Sequence, residues 1–317
     1  MSILLNNNGY DNRSWLEALS RLMPERRIHI FPEIDDIEAI RKEIEFAVVW
    51  DHPRGDLIRY PNLRAILLLG AGTEAIDQET QLPDVPVVRL VDPEVLNDMA
   101  LYALYWVMNF HRQYDRYREQ QRDAHWQRHE ICAPQDYRVT VLGLGMVGRT
   151  VASTLARNGY QLSGWDRFPQ EIEDVHCFSG DTQLASAFAD TDVLVNCLPL
   201  NAATQHFIDR HLLALMPQGS YLINVSRGAV INDQHLIEQL DNGHIAHAVL
   251  DAFASEPLPQ ANPFWHHSKV TVTPHMSGAT YARSAARLVA DNIQRIENGA
   301  QPFPLHQPAG ISSAQAC

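Results

Sequence analysis

Three ionisable residues follow three apolar segments of the sequence, and their side chains could act together in catalysis. Arg227 comes directly after "GSYLINVS", Glu256 follows "AVLDAFAS", and His275 follows "VTVTP". Short apolar segments of this kind are typical of parallel strands covered on both faces. Taken singly, the residues have ordinary explanations: an arginine that extends to solvent, a solvated acid and a structural histidine. Because parallel strands present their carboxyl ends at one edge of a sheet, where α/β folds bind ligands, we expect them to lie together.

A glycine-rich segment between two apolar segments predicts a dinucleotide site. The stretch "VTVLGLGMVGRTVASTLARNGYQLSGWD" contains Gly143, Gly145 and Gly148 in the spacing G-x-G-x-x-G, between a predicted strand and a predicted helix. These glycines suit a tight turn, a close approach of the backbone to a pyrophosphate and close helix–strand packing. Asp166 follows at about the distance expected of the acid that binds the adenosine ribose. Glycines chosen only for packing would not require that acid, so we interpret the segment as a cofactor-binding motif.

A dinucleotide site combined with a cation, a carboxylate and an imidazole indicates a reduction of 2-oxo acids. Such a reduction needs a fixed cation, Arg227, for the substrate carboxylate and the carbonyl oxygen. It also needs a proton donor for the developing alkoxide, here His275. A carboxylate, Glu256, would orient the imidazole and favour its charged form.

The elements that must position these residues alternate between strands and helices, which predicts an α/β fold with parallel sheets. We expect two doubly wound domains: a flavodoxin-like substrate-binding domain at 1–97 and 283–317, and a Rossmann-type dinucleotide-binding domain at 98–282. A long helical segment is predicted over 98–128, and a last helix over 281–299 returns to the first domain. The predicted strands are 2–6, 27–31, 46–50, 65–70, 85–90, 138–142, 161–165, 193–198, 220–225, 247–251 and 270–273.

Composition and charge exclude several other classes of function. The 317 residues carry a net charge of −13, which disfavours a nucleic-acid partner or an anionic membrane surface. The longest apolar run, at 100–110, falls short of the roughly 20 residues that span a bilayer. Four cysteines, of which Cys317 is the last residue, show no metal-ligand spacing, so we expect reduced thiols and no metal site. These features predict a cytoplasmic protein.

The sequence resembles the D-isomer-specific 2-hydroxyacid dehydrogenases, and within them the bacterial glyoxylate/hydroxypyruvate reductases of the A type. The resemblance covers nearly the whole chain and rests on "GLGMVG", "LPLNAAT", "NVSRGAVIN", "LDAFASEPLP" and "TPHMSGAT" in that order. It implies that Arg227 binds and polarises the substrate, that His275 is the acid/base and that Glu256 is its partner. It also implies that the enzyme is a homodimer joined through the cofactor domain, which suits the helical segment at 98–128.

The resemblance further assigns the two binding sites. Asp251 is expected to meet the nicotinamide carboxamide, while Leu198, Pro199 and Val225 line the nicotinamide. In the first domain, the backbone amides of Gly70, Ala71 and Gly72 are expected to hold the substrate carboxylate, with Trp50 as an aromatic of the small-substrate pocket. The complete set of predicted cofactor-binding residues is Gly143, Gly145, Met146, Val147, Gly148, Asp166, Arg167, Leu198, Pro199, Thr204, Val225, Ser226, Asp251 and Gly278.

Two features leave alternatives open. Asp166 favours NAD over NADP, while Arg167 beside it could grip the 2′-phosphate of NADP; we expect NAD, with NADP possible. The A-type subgroup tends to have a small hydroxyl residue at Asp166, and often histidine where Asp51 follows Trp50.

Two alternatives to the reduction of small 2-oxo acids stay open: a reductase of a bulkier 2-oxo acid and a non-enzymatic dinucleotide-sensing co-repressor. Formate oxidation is disfavoured, because formate dehydrogenases of this superfamily lack the glutamate found at Glu256.

Overall fold

The structure, a computed structural model, describes residues 2–8, 10–33, 37–79 and 81–306. The chain forms two compact units, one comprising Met1–Val95 with Thr280–Cys317 and the other Leu96–Ala279. Each unit contains a sheet of parallel strands with helices, which confirms the predicted α/β class. Cys317 and the end of the predicted first domain, 307–317, lie outside the described residues.

The sheet of the first unit has the flavodoxin-like strand order β2-β1-β3-β4-β5 among the described residues. Its strands are β1 Ser2–Asn7, β2 Arg27–Ile30, β3 Ile44–Trp50, β4 Ala65–Leu68 and β5 Val87–Val88. The helices of the same stretch are α1 Asn12–Leu22, α2 Ile37–Ile40 and α3 Glu74–Asp77. The apolar strands are almost completely buried, so hydrophobic burial on both faces determines this sheet.

The second unit has the strand order β12-β11-β10-β9-β6-β7-β8 in the described part of the chain. Its strands are β6 Arg138–Leu142, β7 Gln161–Asp166, β8 Val175–Ser179, β9 Val193–Asn196, β10 Ser220–Asn224, β11 Ile245–Leu250 and β12 Val270–Val272. The helices of this part of the chain are α4 Pro93–His111, which starts three residues before the unit boundary, α5 Tyr114–Arg122, α6 Met146–Arg157, α7 Gly180–Phe188, α8 Arg210–Leu213 and α9 Asp233–Asp241. The order reverses between β6 and β9, which defines a Rossmann-type switch point where such folds bind ligands.

The last helix, α10 (Ala282–Glu297), packs in the core of the first unit. Its strongly amphipathic sequence buries Ala285, Ala286, Val289 and Ile293 in the same apolar cluster as residues of α1. Asp11 caps α1 by accepting the backbone N–H groups of Arg13 and Ser14. The return of the chain to the first unit after 279 therefore follows from burial of one helix face.

The long helical segment predicted over 98–128 forms two helices and ends earlier than expected. The helix α4 starts earlier, at Pro93, and ends at His111, and α5 ends at Arg122. Gln113 between them has the left-handed conformation, with φ of 56°, which interrupts the helical hydrogen bonding. No helix among the described residues is long and apolar enough to cross a membrane.

The strand β8 was not predicted because its sequence, "VHCFS", contains no apolar run. Its residues pair in parallel with β7, from Val175 opposite Leu162 to Ser179 opposite Asp166. Its residues are only partly buried or exposed, as expected at the edge of a sheet. The predicted fifth strand, over 85–90, is shorter than expected, since only Val87–Val88 pairs as a strand.

Candidate active site

The glycine motif forms the turn between β6 and α6, at the carboxyl edge of the second unit's sheet. Gly145 is the N-cap residue of α6, and Met146 and Val147 form its first turn. A Cβ atom added to Gly148 would lie 1.8 Å from the carbonyl oxygen of Gly143, so only glycine allows this approach. The turn therefore presents backbone amides and the positive end of the helix dipole, an arrangement that suits a pyrophosphate.

Asp166 ends β7, the strand next to β6, and contacts the glycine turn directly. Its Oδ2 accepts a hydrogen bond of 2.8 Å from the backbone N–H of Leu144. Arg167, the next residue, is exposed. The carboxylate thus lies at the position at which a Rossmann fold binds the adenosine ribose.

Two buried asparagines shape the turns that follow β9 and β10. Asn196 donates its side-chain amide to Oδ1 of Asn224 at 2.9 Å, and both residues are fully buried. Asn224 Oδ1 also accepts the backbone N–H of Ser226, and the Ser226 hydroxyl donates to the Leu198 carbonyl. The predicted cofactor-binding residues Leu198 and Ser226 are therefore held together by a buried polar network.

Pro199 and Thr204 lie in the turn after β9. The Thr204 hydroxyl donates to the Pro199 carbonyl at 2.5 Å, and it accepts the backbone N–H of Asn201 at 2.8 Å. These bonds close the turn on itself. The expected contact of Thr204 with the cofactor stays a prediction.

Arg227 follows β10, and the glycine after it brings two loops into contact. A Cβ atom on Gly228 would lie 1.9 Å from the carbonyl carbon of Phe253, so the loop after β10 packs directly on the loop after β11. The Arg227 side chain is partly buried, and its Nη1 donates to the Ser226 carbonyl at 3.0 Å. The "SRG" sequence therefore places a guanidinium beside the loop that carries Glu256.

His275 and Glu256 form a hydrogen-bonded pair. Nδ1 of His275 lies 2.7 Å from Oε2 of Glu256, and Oε1 of the same carboxylate accepts the backbone N–H of Phe253 at 2.8 Å. An ionised carboxylate only accepts hydrogen bonds, so Nδ1 carries the proton and Nε2 is the nitrogen that can exchange a proton with a substrate. The imidazole is 43% exposed, which leaves it accessible to a ligand.

The charge of Glu256 is stabilised by its neighbours. Partial burial alone would raise the pKa of this carboxyl group. The hydrogen bonds from His275 and the Phe253 amide, with the positive charge of Arg227, instead hold the pKa below its usual value. Glu256 therefore stays ionised at neutral pH, which suits a partner of an imidazolium.

The loop that carries His275 is anchored by the fully buried carboxylate of Asp251. The Asp251 side chain accepts the backbone N–H groups of Met276 and Ser277 and the hydroxyl of Thr273. His275 has a φ of 51°, an uncommon conformation outside glycine, and its backbone N–H donates to the Asp251 carbonyl at 2.8 Å. Asp251 thus holds the histidine's backbone. Its expected contact with the nicotinamide, and the expected contact of Gly278 with the cofactor, stay predictions.

Thr273 and Tyr102 complete this anchor, and sequence reasoning missed both. The Thr273 hydroxyl donates to Asp251, so it accepts the Tyr102 hydroxyl at 2.6 Å. Burial raises the pKa of Tyr102 to about 12, which keeps it a neutral donor. A threonine two residues before His275 could have suggested the contact, whereas the position of Tyr102 on α4 carries no such signal.

In the first unit, the predicted substrate-binding residues Trp50 and Gly70 touch each other. Trp50 ends β3, and a Cβ atom on Gly70 would lie 2.3 Å from the indole ring. The backbone N–H groups of Gly70, Ala71 and Gly72 have no hydrogen-bond acceptor among the described residues. Consecutive unpaired amides of this kind suit an anion.

Comparison with known proteins identifies the class. A family model described as "D-isomer specific 2-hydroxyacid dehydrogenase, NAD binding domain" matches residues 104–277. The chain belongs to this family, and it is an NAD(P)-dependent 2-hydroxyacid dehydrogenase. The glycine turn and Asp166 fit the dinucleotide that the family requires. The turn is tight, because only glycine fits where position 148 approaches the Gly143 carbonyl, and Asp166 contacts the turn through the Leu144 amide.

The relatives include glyoxylate/hydroxypyruvate reductases of the A type. The protein with this name from Serratia proteamaculans is 33% identical over 95% of this chain and 97% of its own length. The one from Photorhabdus laumondii is 35% identical over 94% of this chain and 96% of its own length. The resemblance to this type is thereby confirmed.

Solved structures of relatives share the fold. A D-isomer-specific 2-hydroxyacid dehydrogenase from Xanthobacter autotrophicus Py2, in complex with NADPH and MES, is 35% identical, with a TM-score of 0.91 and coverage of 97% of this chain and 98% of that chain. An NADPH-dependent glyoxylate/hydroxypyruvate reductase from Sinorhizobium meliloti, in complex with NADP and sulfate, is 27% identical, with a TM-score of 0.90 over 97% of this chain and 98% of that one.

We predict that Glu256→Gln moves the basic limb of the pH–rate profile for 2-oxo acid reduction to lower pH. Glutamine keeps the shape of the side chain but removes the negative charge that favours imidazolium. The hydrogen bond and charge of His275 lower the pKa of Glu256, so the two charged side chains stabilise each other. Without the carboxylate, proton donation to the substrate should fail earlier as the pH rises. The oxidative direction needs neutral imidazole, so its activity at neutral pH should change less.

Asp241→Asn is the matched control. Asp241 forms the comparable pair of this unit, with His267 Nε2 at 3.3 Å, on a different surface. Both variants and the unmodified enzyme are compared in both directions, under conditions in which the chemical step limits the rate. A basic limb that stays in place in Glu256→Gln would show that Glu256 and His275 are not coupled in catalysis.

Proposed function

We propose that this enzyme reduces small 2-oxo acids, with glyoxylate and hydroxypyruvate as the first candidates, to the corresponding 2-hydroxy acids. The observation that carries the proposal is the His275–Glu256 pair, with its 2.7 Å hydrogen bond, beside Arg227 at the carboxyl edge of the dinucleotide-binding sheet. The names of the A-type relatives support these two substrates.

In the proposed mechanism, each side chain has one task. Arg227 binds the substrate carboxylate and stabilises the negative charge that develops on the carbonyl oxygen. His275, protonated on both nitrogens, donates the Nε2 proton to that oxygen, and Glu256 orients the ring and stabilises its charge through Nδ1. A bound nicotinamide supplies the hydride.

The first unit is proposed to bind the substrate through loop 70–72. The unpaired amides of Gly70, Ala71 and Gly72 support a role in holding the carboxylate. Trp50, whose ring covers Gly70, adds a bulky wall beside these amides and favours small acids over bulky ones. We accordingly propose 1–97 with 283–317 as the substrate-binding domain and 98–282 as the cofactor-binding domain.

The cofactor preference is proposed to be for NADH. Asp166 is held at the glycine turn by the Leu144 amide, and a carboxylate there accepts a ribose hydroxyl but repels a 2′-phosphate. The other proposed cofactor contacts are Gly143, Gly145, Met146, Val147, Gly148, Arg167, Leu198, Pro199, Thr204, Val225, Ser226, Asp251 and Gly278.

We also propose that the enzyme is a cytoplasmic homodimer. Cys132, Cys177 and Cys197 are free thiols, as is usual in a reducing compartment. The helix α4 buries Ala103 and Val107 but leaves Leu101, Tyr105 and Met108 between 40% and 56% exposed. An apolar stripe at this spacing, on a helix whose other side is in the core, suits a second copy of the chain.

The function is tested with steady-state kinetics on a panel of short and bulky 2-oxo acids. We expect turnover of glyoxylate and hydroxypyruvate, and a loss of roughly 10²–10³-fold in kcat in Arg227→Ala, since this is typical of one lost oxyanion donor. Arg210→Ala is the control, because Arg210 is a half-exposed arginine of the same unit in an ion pair with Glu238. A variant in which KM rises and kcat is unchanged would restrict Arg227 to anchoring. Cofactor binding without turnover of any acid would indicate a sensor instead.

For the cofactor, we predict a higher kcat/KM with NADH than with NADPH. In Asp166→Ser we expect the ratio of the two kcat/KM values to shift toward NADPH by roughly tenfold, because the negative charge that repels the 2′-phosphate is removed. Serine also loses the bond to the Leu144 amide, so the ratio, rather than either value alone, is the measurement. Better use of NADPH by the unmodified enzyme would refute the preference, and Arg167→Ala would then test Arg167 as the phosphate ligand.

For the dimer, we predict that sedimentation gives twice the chain mass and that Tyr105→Arg shifts the enzyme to monomer, because a charge cannot be buried unpaired in an apolar interface. Leu215→Arg, at a residue of the same unit that is 38% exposed but outside α4, is the control. A monomeric unmodified enzyme, or a dimer that survives Tyr105→Arg, would contradict an interface through this face.

A further inference from the structure

The loop 70–72 is oriented by contacts to its carbonyl groups. The backbone N–H of Leu90 donates to the Gly70 carbonyl at 3.2 Å. The Arg89 guanidinium donates from Nε at 3.2 Å and from Nη2 at 3.1 Å to the carbonyl oxygen of Ala71. The Gly70 carbonyl is therefore held by a backbone N–H, whereas the Ala71 carbonyl is held by a charged side chain.

Holding the Ala71 carbonyl also fixes an N–H group. The peptide bond between Ala71 and Gly72 is trans, so the Gly72 N–H points away from the Ala71 carbonyl in the same plane. Two donors on one oxygen restrict rotation of that plane more than one donor would. The cation also polarises the peptide, which makes its N–H a stronger donor on the opposite side.

Arg89 is well placed for this task because its backbone is anchored. Val88 and Leu90 on either side are 2% and 5% exposed, and the Arg89 backbone N–H donates to the Pro304 carbonyl at 2.9 Å. Along a strand-like segment neighbouring side chains alternate, so the two apolar neighbours turn inward while the Arg89 side chain stays exposed. The side chain that contacts Ala71 is thus attached to a firmly held backbone.

We propose that Arg89 is a positioning residue for substrate binding, which holds the Ala71 carbonyl so that the Gly72 N–H stays directed at the carboxylate of the 2-oxo acid. The proposal rests on the proposed function, since it assigns a role within loop 70–72. It assigns to Arg89 a task different from that of Arg227, because Arg89 acts through a peptide group and not on the reacting carbonyl.

The test compares Arg89→Met, which keeps the apolar stem and removes every donor, with Arg89→Lys, which keeps the charge but cannot grip one oxygen with two fixed donors. The measurements are kcat and KM for glyoxylate, KM for the cofactor, and the inhibition constant of oxamate, a carboxylate without a reducible ketone. Arg295→Met is the matched control, because Arg295 is an exposed arginine of the same unit whose Nε donates to the Gln301 carbonyl.

In Arg89→Met we expect KM for glyoxylate and the oxamate constant to rise about tenfold, while kcat and the cofactor KM change less than about twofold. Arg89→Lys should show a rise of several-fold, and both effects should persist at high salt. If Arg89→Lys behaves like the unmodified enzyme, or if the changes in KM and in the oxamate constant disappear at high salt, only the charge of Arg89 matters. Either result would overturn the positioning role. Melting temperatures of all variants reveal any loss of folding.

The proposed function and the role of Arg89 fail in different ways. An unmodified enzyme that reduces no 2-oxo acid would refute the function itself. An unmodified enzyme that reduces glyoxylate, together with an Arg89→Met variant whose KM and oxamate constant are unchanged, would refute only the role of Arg89.

Discussion

The buried carboxylate of Asp251 is the interaction on which the loop that carries His275 depends. It accepts two backbone N–H groups and one hydroxyl from the loop after β12, and it has no exposed surface. A buried charge is tolerable only when hydrogen bonds replace its water, and here the loop supplies them. The loop in turn can hold His275 in a left-handed conformation, which would otherwise be unfavourable by about 1–3 kcal/mol. The backbone of His275, which follows β12, is thus held by a residue that follows the neighbouring strand, β11.

Two glycines at the carboxyl edge of the second unit's sheet allow backbones to touch. Gly148 packs on the Gly143 carbonyl, and Gly228 packs on the backbone at Phe253. The first contact closes the turn between β6 and α6, and the second joins the loops after β10 and β11, each more tightly than a side chain would permit. The second contact brings the loop of Arg227 against the loop of Glu256, where the arginine charge helps to lower the pKa of the carboxyl group.

Much of this arrangement could be predicted from the sequence, because its signals are local. The apolar segments gave the parallel sheets, and residues at their ends, such as Arg227 and Asp166, lie at the carboxyl edge by necessity. The interruption at Gln113 could not be predicted, because the partner of its side chain, the Glu130 carbonyl, is 17 residues away in sequence. The strand β8 forms on an edge that β7 offers, a cause that lies outside its own residues. Tyr102 and Arg89 escaped prediction for the same reason, since their partners, Thr273 and Ala71, are distant in sequence.

The contact of the Trp50 ring with Gly70 restricts the order in which substitutions can accumulate. Any side chain at position 70 would overlap the indole, so a change there is unfavourable while the tryptophan remains. Once a smaller residue occupies position 50, the residue at position 70 can carry a side chain. The two positions are therefore epistatic. A lineage in which position 70 gains a side chain must therefore change Trp50 first, and a return to tryptophan is blocked once position 70 has a Cβ atom.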